Sequence, residues 1–217
     1  MAKQRSGETR EKLLAAAGEV FVAKGFRDAT VAEICRRADA NIASVNYYFG
    51  SKEALYQQAW RHCFVASIKA HPQDGGISPD APAEARLRGQ VQALIKRIAD
   101  ENSKDFFISQ REFVNPTGLL AEVIKAEIVP LREQTLAVMR ELLGPQASDR
   151  QVAFCEMCLI SMCIHPLLIQ RLRQRSNDVG APPLIDDLEA FIDHVMTFAL
   201  AGIAAVKGAA WPGGPQP

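Results

Sequence analysis

Apolar residues recur along most of the chain at spacings of three and four, the period of a helix that buries one side. Near the N-terminus Leu13, Ala17, Val20 and Phe21 form such a stripe, and Gly25 follows where a helix C-terminus is expected. We find no convincing alternation of apolar and polar residues of the kind that strands show. The pattern therefore predicts an all-α fold.

Capping residues divide the next stretch into short helices. Thr30 can cap a helix whose inward side is Val31, Ile34, Cys35 and Ala38. Asn41 can cap another over 42–49, which Gly50 ends, and Ser51 can cap a longer helix that runs toward residue 70. Two short helices joined by residues 39–40, with a third helix before them, are the outline of a helix-turn-helix unit.

The helix over 42–49 has a predictable outward side. With Val45 placed inward, steps of 100° bring Phe49 and Asn41 toward the same side and turn Ala43 and Tyr47 away. Ser44 and Asn46 fall on the flanks. Small residues allow a helix to enter the major groove closely, Asn and Ser can bind base edges, and a Tyr hydroxyl can reach a phosphate. The alternative is a small three-helix core with a solvated polar face.

The start of the following helix adds a candidate phosphate contact. Lys52 lies in the first turn, where an ammonium and the backbone N–H groups together favour an anion. Thr30, at the start of the earlier helix, can act in the same way.

Proline and glycine separate this region from the rest. The run HPQDGGISPDAPAE (71–84) predicts a loop and a domain boundary. Beyond it, helical segments are predicted over 82–101, 104–114, 117–143, 148–173 and 184–207. We expect the tail at 209–217 to be disordered because of its Pro and Gly content.

Composition and charge restrict the function. The chain has 217 residues, of which 48% are hydrophobic, so it can bury a sizeable core and is not generally disordered. It carries 25 Lys and Arg and 25 Asp and Glu, so its net charge is zero and it is not expected to bind a polyanion over its whole surface. Residues 1–62 hold ten basic and seven acidic residues, so a phosphate-binding face is expected there.

The five cysteines indicate reduced thiols and a cytoplasmic location. Their number is odd, and the charged N-terminus has no apolar segment of a secretory signal. The longest apolar stretch, 152–169, contains Glu156, Ser161, His165 and Pro166, so we predict a buried helix and not a membrane span. Pro166 should kink or end that helix. For Cys155, Cys158, Cys163 and His165 we favour buried core, with a thiol sensor and a metal site left open.

The run TVAEICRRADANIASVNYYFGSKEALY (30–56) resembles the DNA-binding signature of the TetR family of bacterial transcriptional regulators. The residues in register with that signature are Gly25, Phe26, Thr30, Ile34, Ala38, Tyr47, Phe49, Lys52, Glu53 and Leu55. The resemblance implies an all-helical homodimer with a DNA-binding domain over 1–60, and a ligand-binding and dimerisation domain over 61–208. It implies DNA contacts at Thr30, Ile42, Ala43, Ser44, Asn46, Tyr47, Tyr48 and Lys52. Asn46 and Tyr48 stand where the family usually has an aromatic residue and often His, so the operator sequence does not follow.

The last predicted helix carries a continuous apolar stripe with small residues that permit close helix approach. Together with 148–173 it can build a four-helix interface across a two-fold axis, although the stripe could instead pack inside its own subunit. The predicted dimer contacts are Leu188, Phe191, Ile192, Val195, Ala199 and Gly202.

An effector pocket needs apolar walls and a few polar groups. The candidates are Phe106, Phe107, Gln110, Phe113, Met139, Met157, Met162 and His165, of which we expect most to be ordinary core. Arg111 and Glu112 could steer a charged ligand, but an exposed ion pair is the favoured interpretation. They open the stretch REFVNPTG (111–118), which is similar to one in a subgroup with its own type of C-terminal domain. No cofactor or metal is predicted.

These observations predict a ligand-responsive transcriptional regulator, a repressor released from a palindromic operator by a small molecule. The alternative is a helical dimeric ligand-binding or scaffold protein without sequence-specific DNA binding. An enzyme is not predicted, because the sequence has no GxGxxG, P-loop, GxSxG or HExxH motif and its four histidines are scattered. Whether the protein represses or activates depends on where the operator lies.

Overall fold

The computed structural model describes the backbone of residues 2–175 and 185–208. The predicted tail and the start of the last predicted segment, residue 184, lie outside these residues. The described part is helical, with no strand in it. The helices are α1 (Ala2–Asp28), α2 (Val31–Ala38), α3 (Ile42–Phe49), α4 (Lys52–Ala70), α5 (Ala83–Ala99), α6 (Lys104–Val114), α7 (Ala121–Leu143), α8 (Asp149–Arg175) and α9 (Leu188–Gly208). The predicted all-α fold is confirmed.

The chain forms two compact units that are not consecutive in sequence. The first holds residues 1–70 and 100–128, and the second holds 71–99 and 129–217. The first unit therefore includes more than the DNA-binding domain predicted over 1–60, because α6 packs against α1 and α4. The functional division of the chain at residue 60 stays a prediction.

The core of the first unit is aromatic. Tyr56 and Trp60 of α4 are both 1% exposed, and Tyr56 meets Phe21 of α1 edge to face with ring centroids 4.6 Å apart. The Trp60 indole N–H reaches α6, where it lies 3.1 Å from the Asp105 carbonyl oxygen and 2.8 Å from Ser109 Oγ. Edge-to-face rings and a satisfied indole donor give this core a specific packing.

In the second unit α5 packs against both α8 and α9, which also pack against each other. The loop after α4 returns to α5 at very close range. A Cβ atom on Gly89 would lie 2.2 Å from the Asp74 carbonyl oxygen, and one on Gly75 would lie 2.7 Å from the Gly89 Cα. Only glycine at both positions permits this approach of two backbones.

The sequence left two outcomes open for Pro166 in α8, a kink or the end of the helix. Pro166 does not end the helix, which continues to Arg175. Proline removes one backbone hydrogen bond, but Cys163 and Leu167 on either side of it are buried at 0% and 3% exposure. We attribute the continued helix to this packing, which stabilises both of its turns.

Candidate nucleic-acid interface

Local capping sets the direction of α2. Thr30 has extended backbone angles, and its Oγ1 accepts a hydrogen bond from the Glu33 N–H at 3.2 Å. Ile34, Cys35 and Ala38 are then buried against the other helices of the unit. The predicted cap is confirmed. The Thr30 side chain stays exposed at the helix N-terminus, where an anion is favoured.

A left-handed residue makes the turn between α2 and α3. Asp39 has φ 51° and ψ 49°, and the Ala40 N–H donates to the Cys35 carbonyl at 2.9 Å. Short polar side chains such as Asp adopt this conformation more readily than most others. The turn redirects the chain at once, which gives the helix-turn-helix arrangement expected from the sequence.

The inward and outward sides of α3 follow the helical wheel. Val45 and Phe49 are 1% and 7% exposed and anchor the helix to the core. Asn41 caps it, because its Oδ1 accepts from the Ala43 N–H at 2.9 Å. The placement of Asn41 near the inward side is wrong, since its side chain covers the exposed end of the helix instead.

The exposed side of α3 carries most of the predicted DNA contacts. Tyr47 is 79% exposed, Ile42, Ala43 and Asn46 are also exposed, and Ser44 and Tyr48 are half-buried. The Tyr47 and Tyr48 rings meet edge to face with centroids 4.9 Å apart. The side that faces solvent thus combines small residues, an amide and a phenol with the apolar Ile42, and its small and polar groups can approach and read base edges.

Lys52 is half-buried at the start of α4, next to the end of α1. Ser51 caps this helix through the Ala54 N–H at 3.1 Å. The Lys52 Nζ lies 3.5 Å from the Arg27 carbonyl oxygen and 4.5 Å from the centroid of the Phe26 ring. A cation over an aromatic face is attracted by the ring quadrupole. The ammonium is therefore held beside the α4 N-terminus.

Several cations near this face are paired with acidic residues. Lys24 Nζ lies 2.6 Å from Glu33 Oε2, and this bond lowers the pKa of the Glu33 carboxyl. Arg37 lies 3.2 Å from Glu19, which also pairs with Lys104. Since such pairs cancel much of each charge, Lys52 is the cation that the geometry places best for a phosphate.

The predicted effector residues are divided between the units. Phe106, Phe107 and Gln110 are half-buried in the first unit, where Phe113 is 85% exposed. In the second, Met139 is fully buried, Met162 is half-buried, and Met157 and His165 are exposed. Phe113, Met157 and His165 are therefore not core residues, whereas the other five are buried or half-buried.

The predicted dimer residues lie on two sides of α9. Ile192, Val195 and Ala199 are buried in their own subunit, at 0%, 2% and 6% exposure. Leu188 and Phe191 are half-buried, and Gly202 is exposed. The first three fill the core formed with α5 and α8, so in this arrangement a partner would meet the opposite side of the helix.

The cysteines differ in their surroundings. Burial raises the pKa of both Cys63 and Cys163 to about 12, and it also raises the pKa of Cys35 and Cys155. Cys158 is exposed, which contradicts the expectation of buried core for this residue. Within the described residues no three His, Cys, Asp or Glu side chains are grouped so that they could hold a metal ion.

Two residues have partners that the sequence pattern did not predict. Arg111 and Glu112 do not form an exposed ion pair. Arg111 donates to the carbonyl oxygens of Val22 and Ala23, and Glu112 accepts from Tyr56, Thr117 and Gly118. The REFVNPTG stretch was the only hint of these contacts in the sequence. Tyr56 lies 56 positions away from Glu112, and the α1 carbonyl groups lie 89 and 88 positions away from Arg111, too far for a local pattern to predict the contacts.

Comparison with known families identifies the family to which the chain belongs. Residues 13–59 match the family described as bacterial regulatory proteins, tetR family, and residues 83–203 match the C-terminal domain of the HTH-type transcriptional dual regulator CecR. The chain belongs to the TetR family. It is accordingly a DNA-binding transcriptional regulator, and the members of this family are regulators and not enzymes.

Relatives in this family are modestly similar. TtgW of Pseudomonas putida, an HTH-type transcriptional regulator, is 32% identical over 99 residues, which are 46% of this chain and 69% of TtgW. SrpR of the same species is 32% identical over 99 residues, 44% of its length. CecR of Shigella flexneri is 29% identical over 164 residues, 70% of this chain and 73% of CecR. The chain thus spans less than half of SrpR.

Solved TetR-like structures share the fold. A TetR-like transcriptional regulator from Rhodococcus sp. RHA1 has a TM-score of 0.66 at 15% identity, covering 90% of this chain and 96% of that one. The fatty acid degradation regulator FadR from Bacillus halodurans has a TM-score of 0.65 at 17% identity, covering 88% and 98%. At these identities the likeness concerns the fold alone.

Two of the described helices, over Asp149–Arg171 and Leu188–Gly208, are long and apolar enough to cross a membrane. Length and composition are weak grounds, since helices in the core of soluble proteins share them. Asp149–Arg171 and most of Leu188–Gly208 lie in the segment, residues 83–203, that matches the CecR C-terminal domain.

Proposed function

We propose that this protein is a cytoplasmic, ligand-responsive repressor that binds a two-fold symmetric operator as a homodimer. The observation that carries the proposal is the exposed side of α3. Val45 and Phe49 fix the helix to the core, so that the exposed side chains of Ala43, Asn46 and Tyr47 can meet a major groove. A helical carrier or scaffold has no use for such a surface.

The phosphate contacts come from helix starts. Thr30 and Lys52 stand at the N-termini of α2 and α4, where backbone N–H groups point toward an anion. A hydroxyl that accepts one hydrogen bond as a cap can still donate its proton. Thr30 can therefore cap α2 and bind a phosphate at the same time. These contacts position α3 without reading sequence, and the α3 side chains supply the specificity.

The dimer is formed by the exposed sides of α8 and α9. On α8, Phe154 and Met157 are 40% and 57% exposed, and Cys158 and Ser161 continue the same face. On α9, Phe198 is 64% exposed and lies one turn from the small residue Gly202. Apolar and small side chains repeating every three or four positions suit a four-helix interface across a two-fold axis. The half-sites should then lie about 34–36 Å apart or further.

Effector control is a coupling between two sites. We propose that a small molecule bound by the C-terminal domain favours a state in which the two α3 helices are wrongly spaced for successive major grooves, and that α4 is the lever between the domains. The effector can shift the equilibrium between the two states by no more than its difference in affinity for them. Among the relatives, NicS of Pseudomonas putida, 30% identical over 142 residues, is named a transcriptional repressor.

The test is a fluorescence-anisotropy titration with DNA from upstream of its own coding sequence and a scrambled duplex at the same salt concentration. We expect a preference on the order of 10³-fold for the operator. Without one, a selection from random duplexes follows, and failure to select any site would favour the ligand-binding or scaffold alternative.

Variants locate the interface in the same assay. Tyr47→Phe and Lys52→Ala should weaken operator binding and leave the dimer intact, and Lys52→Ala should also reduce the salt dependence. Lys69→Ala is the matched control, because it removes the same charge from an exposed position at the other end of α4. Wild-type affinity in both interface variants would contradict the docking geometry.

A further inference from the structure

Residues 111–118, which we call the clamp segment, comprise the last turn of α6 and the first part of the loop to α7, and their side chains make several contacts. These contacts lie within the first unit. They join the segment to α4 and to the C-terminal end of α1, next to Lys52.

Arg111 closes the end of α1. Its Nε and one terminal nitrogen lie 2.7 Å from the carbonyl oxygens of Val22 and Ala23. Gly25 has φ 76° and ψ −179°, so the helical geometry of α1 breaks there. Carbonyl groups in the turn before such a break lack their usual N–H donors, and a guanidinium is well suited to replace them. Arg111 therefore fixes the backbone that leads to Phe26 and Arg27.

Glu112 folds the segment and ties it to α4. Its carboxylate accepts from the Thr117 N–H and Oγ1 at 2.8 Å and from the Gly118 N–H at 2.9 Å. It also accepts from the Tyr56 hydroxyl at 3.2 Å. Burial, followed by the Glu112 charge, raises the pKa of Tyr56 and keeps its proton available for this bond.

Arg27 links the segment to the predicted phosphate contact. Its guanidinium donates to Asn115 Oδ1 and, at 3.2 Å, to the Pro116 carbonyl. The carbonyl of Arg27 itself lies 3.5 Å from the Lys52 Nζ, which also sits over Phe26. A continuous set of contacts thus runs from Asn115 through Arg27 to Lys52.

We infer that the clamp segment positions Lys52 for its phosphate, so that operator affinity depends on the conformation of residues 111–118. The inference rests on the proposed function, because it takes Lys52 to be a DNA contact. Glu112, Asn115 and Arg111 are positioning residues that touch no DNA. The segment leads directly into α7, whose later residues belong to the second unit, so the chain itself connects it to the domain proposed to bind the effector.

The test is a double-mutant cycle between Glu112→Gln and Lys52→Ala, read as operator affinity by anisotropy over a series of salt concentrations. Alone, Glu112→Gln should weaken binding about tenfold and reduce the salt slope by about 0.9 for each phosphate that the variant no longer binds. In the Lys52→Ala background it should have no further effect, because both changes remove the same interaction. Additive effects in the cycle would overturn the inference, since a merely structural role does not depend on Lys52.

Asn115→Ala is the milder variant, and it is measured in case Glu112→Gln does not fold. Its matched control is Asn102→Ala, which truncates another exposed Asn of the first unit, one whose side chain donates to its near neighbour Asp100. We expect weaker operator binding and faster hydrogen exchange at residues 52–56 in Asn115→Ala alone, with an unchanged urea midpoint. Wild-type exchange and affinity in Asn115→Ala would overturn the inference.

The two proposals fail in different ways. If Lys52→Ala binds the operator as tightly as wild type, the assigned phosphate contact is wrong and the clamp inference falls with it. If Lys52→Ala weakens binding while Glu112→Gln and Asn115→Ala do not, the DNA interface stands and the clamp inference alone is overturned.

Discussion

The helices α3 and α9 both present an exposed side to a proposed partner, but only in α3 does the sequence define that side. In α3 Val45 and Phe49 face the core, and the exposed positions are Ala43, Asn46 and Tyr47 together with the apolar Ile42. In α9 apolar residues surround the helix, so Ile192 and Phe198 look equivalent until the structure shows one fully buried and the other 64% exposed. The exposed side of a helix can be predicted from sequence when only one face of the helix is apolar enough to be buried.

The largest expected effect is a loss of stability on truncation of a buried α9 residue, compared with truncation of an exposed apolar residue. Ile192→Ala should lower the free energy of unfolding by about 2–5 kcal/mol, because it leaves a cavity in the core of the second unit. Val65→Ala, at a position 58% exposed on α4, is the control and should change it by about 0.5 kcal/mol or less. Urea denaturation measures both, and equal losses would mean that the two sites are not packed differently.

The outward side of α9 is tested by charge. Phe198→Glu should raise the dissociation constant of the dimer on the order of 100-fold, since it places two carboxylates in an apolar interface. Sedimentation velocity across a dilution series gives this constant. Val129→Glu introduces the same charge at another exposed apolar position, on α7, and should leave the dimer unchanged. A dimer that survives Phe198→Glu would place the interface elsewhere.

The caps of the helix-turn-helix should have smaller effects. Thr30→Ala and Asn41→Ala each remove a side-chain acceptor for a helix N-terminal N–H group and should cost about 1 kcal/mol of stability. Thr30→Ser keeps the acceptor and should restore most of the loss. Thermal unfolding followed by circular dichroism measures the series, and Ala variants as stable as wild type would show that these bonds contribute nothing net.

The reactivity of two thiols on α8 distinguishes a buried from an exposed position without a mutation. Cys163 is buried with a pKa raised to about 12, whereas Cys158 is exposed in the single chain. Alkylation by iodoacetamide at pH 8 should therefore modify Cys158 and leave Cys163 until urea unfolds the protein.

The same reaction reports on the dimer. If α8 contributes to the interface, modification of Cys158 should be slow at concentrations where the dimer forms and faster in Phe198→Glu. Mass spectrometry of the digested protein follows both sites. A rate for Cys158 that is independent of concentration would remove α8 from the proposed interface.

Local rules account for most of what the sequence could predict. The caps at Thr30, Asn41 and Ser51 and the breaks at Gly25 and Gly50 act on neighbouring residues, so their effect is visible in a short stretch of sequence. The predicted segment over 104–114 coincides with α6, and 82–101 differs from α5 by one or two residues at its ends. The exposed side of α3 followed from the same local information.

What could not be predicted depends on contacts between distant parts of the chain. That α6 packs with α1 and α4, which places residues 100–128 in the first unit, has no local signature. Arg111 and Glu112 read as an ordinary surface pair because Val22, Ala23 and Tyr56, to which they bind, lie far away in sequence. The continuation of α8 through Pro166 likewise depends on packing, which overrides a local preference.

The separation of anchors from outward residues in α3 has a consequence for how such a regulator can change over generations. At the proposed interface, replacements of Ala43, Asn46 or Tyr47 would alter what the helix meets in the groove and would leave the buried pair Val45 and Phe49 untouched. A lineage can therefore exchange one target site for another through a few codons, without passing through variants that fail to fold. The same three positions are where a library aimed at a new target site should be randomised.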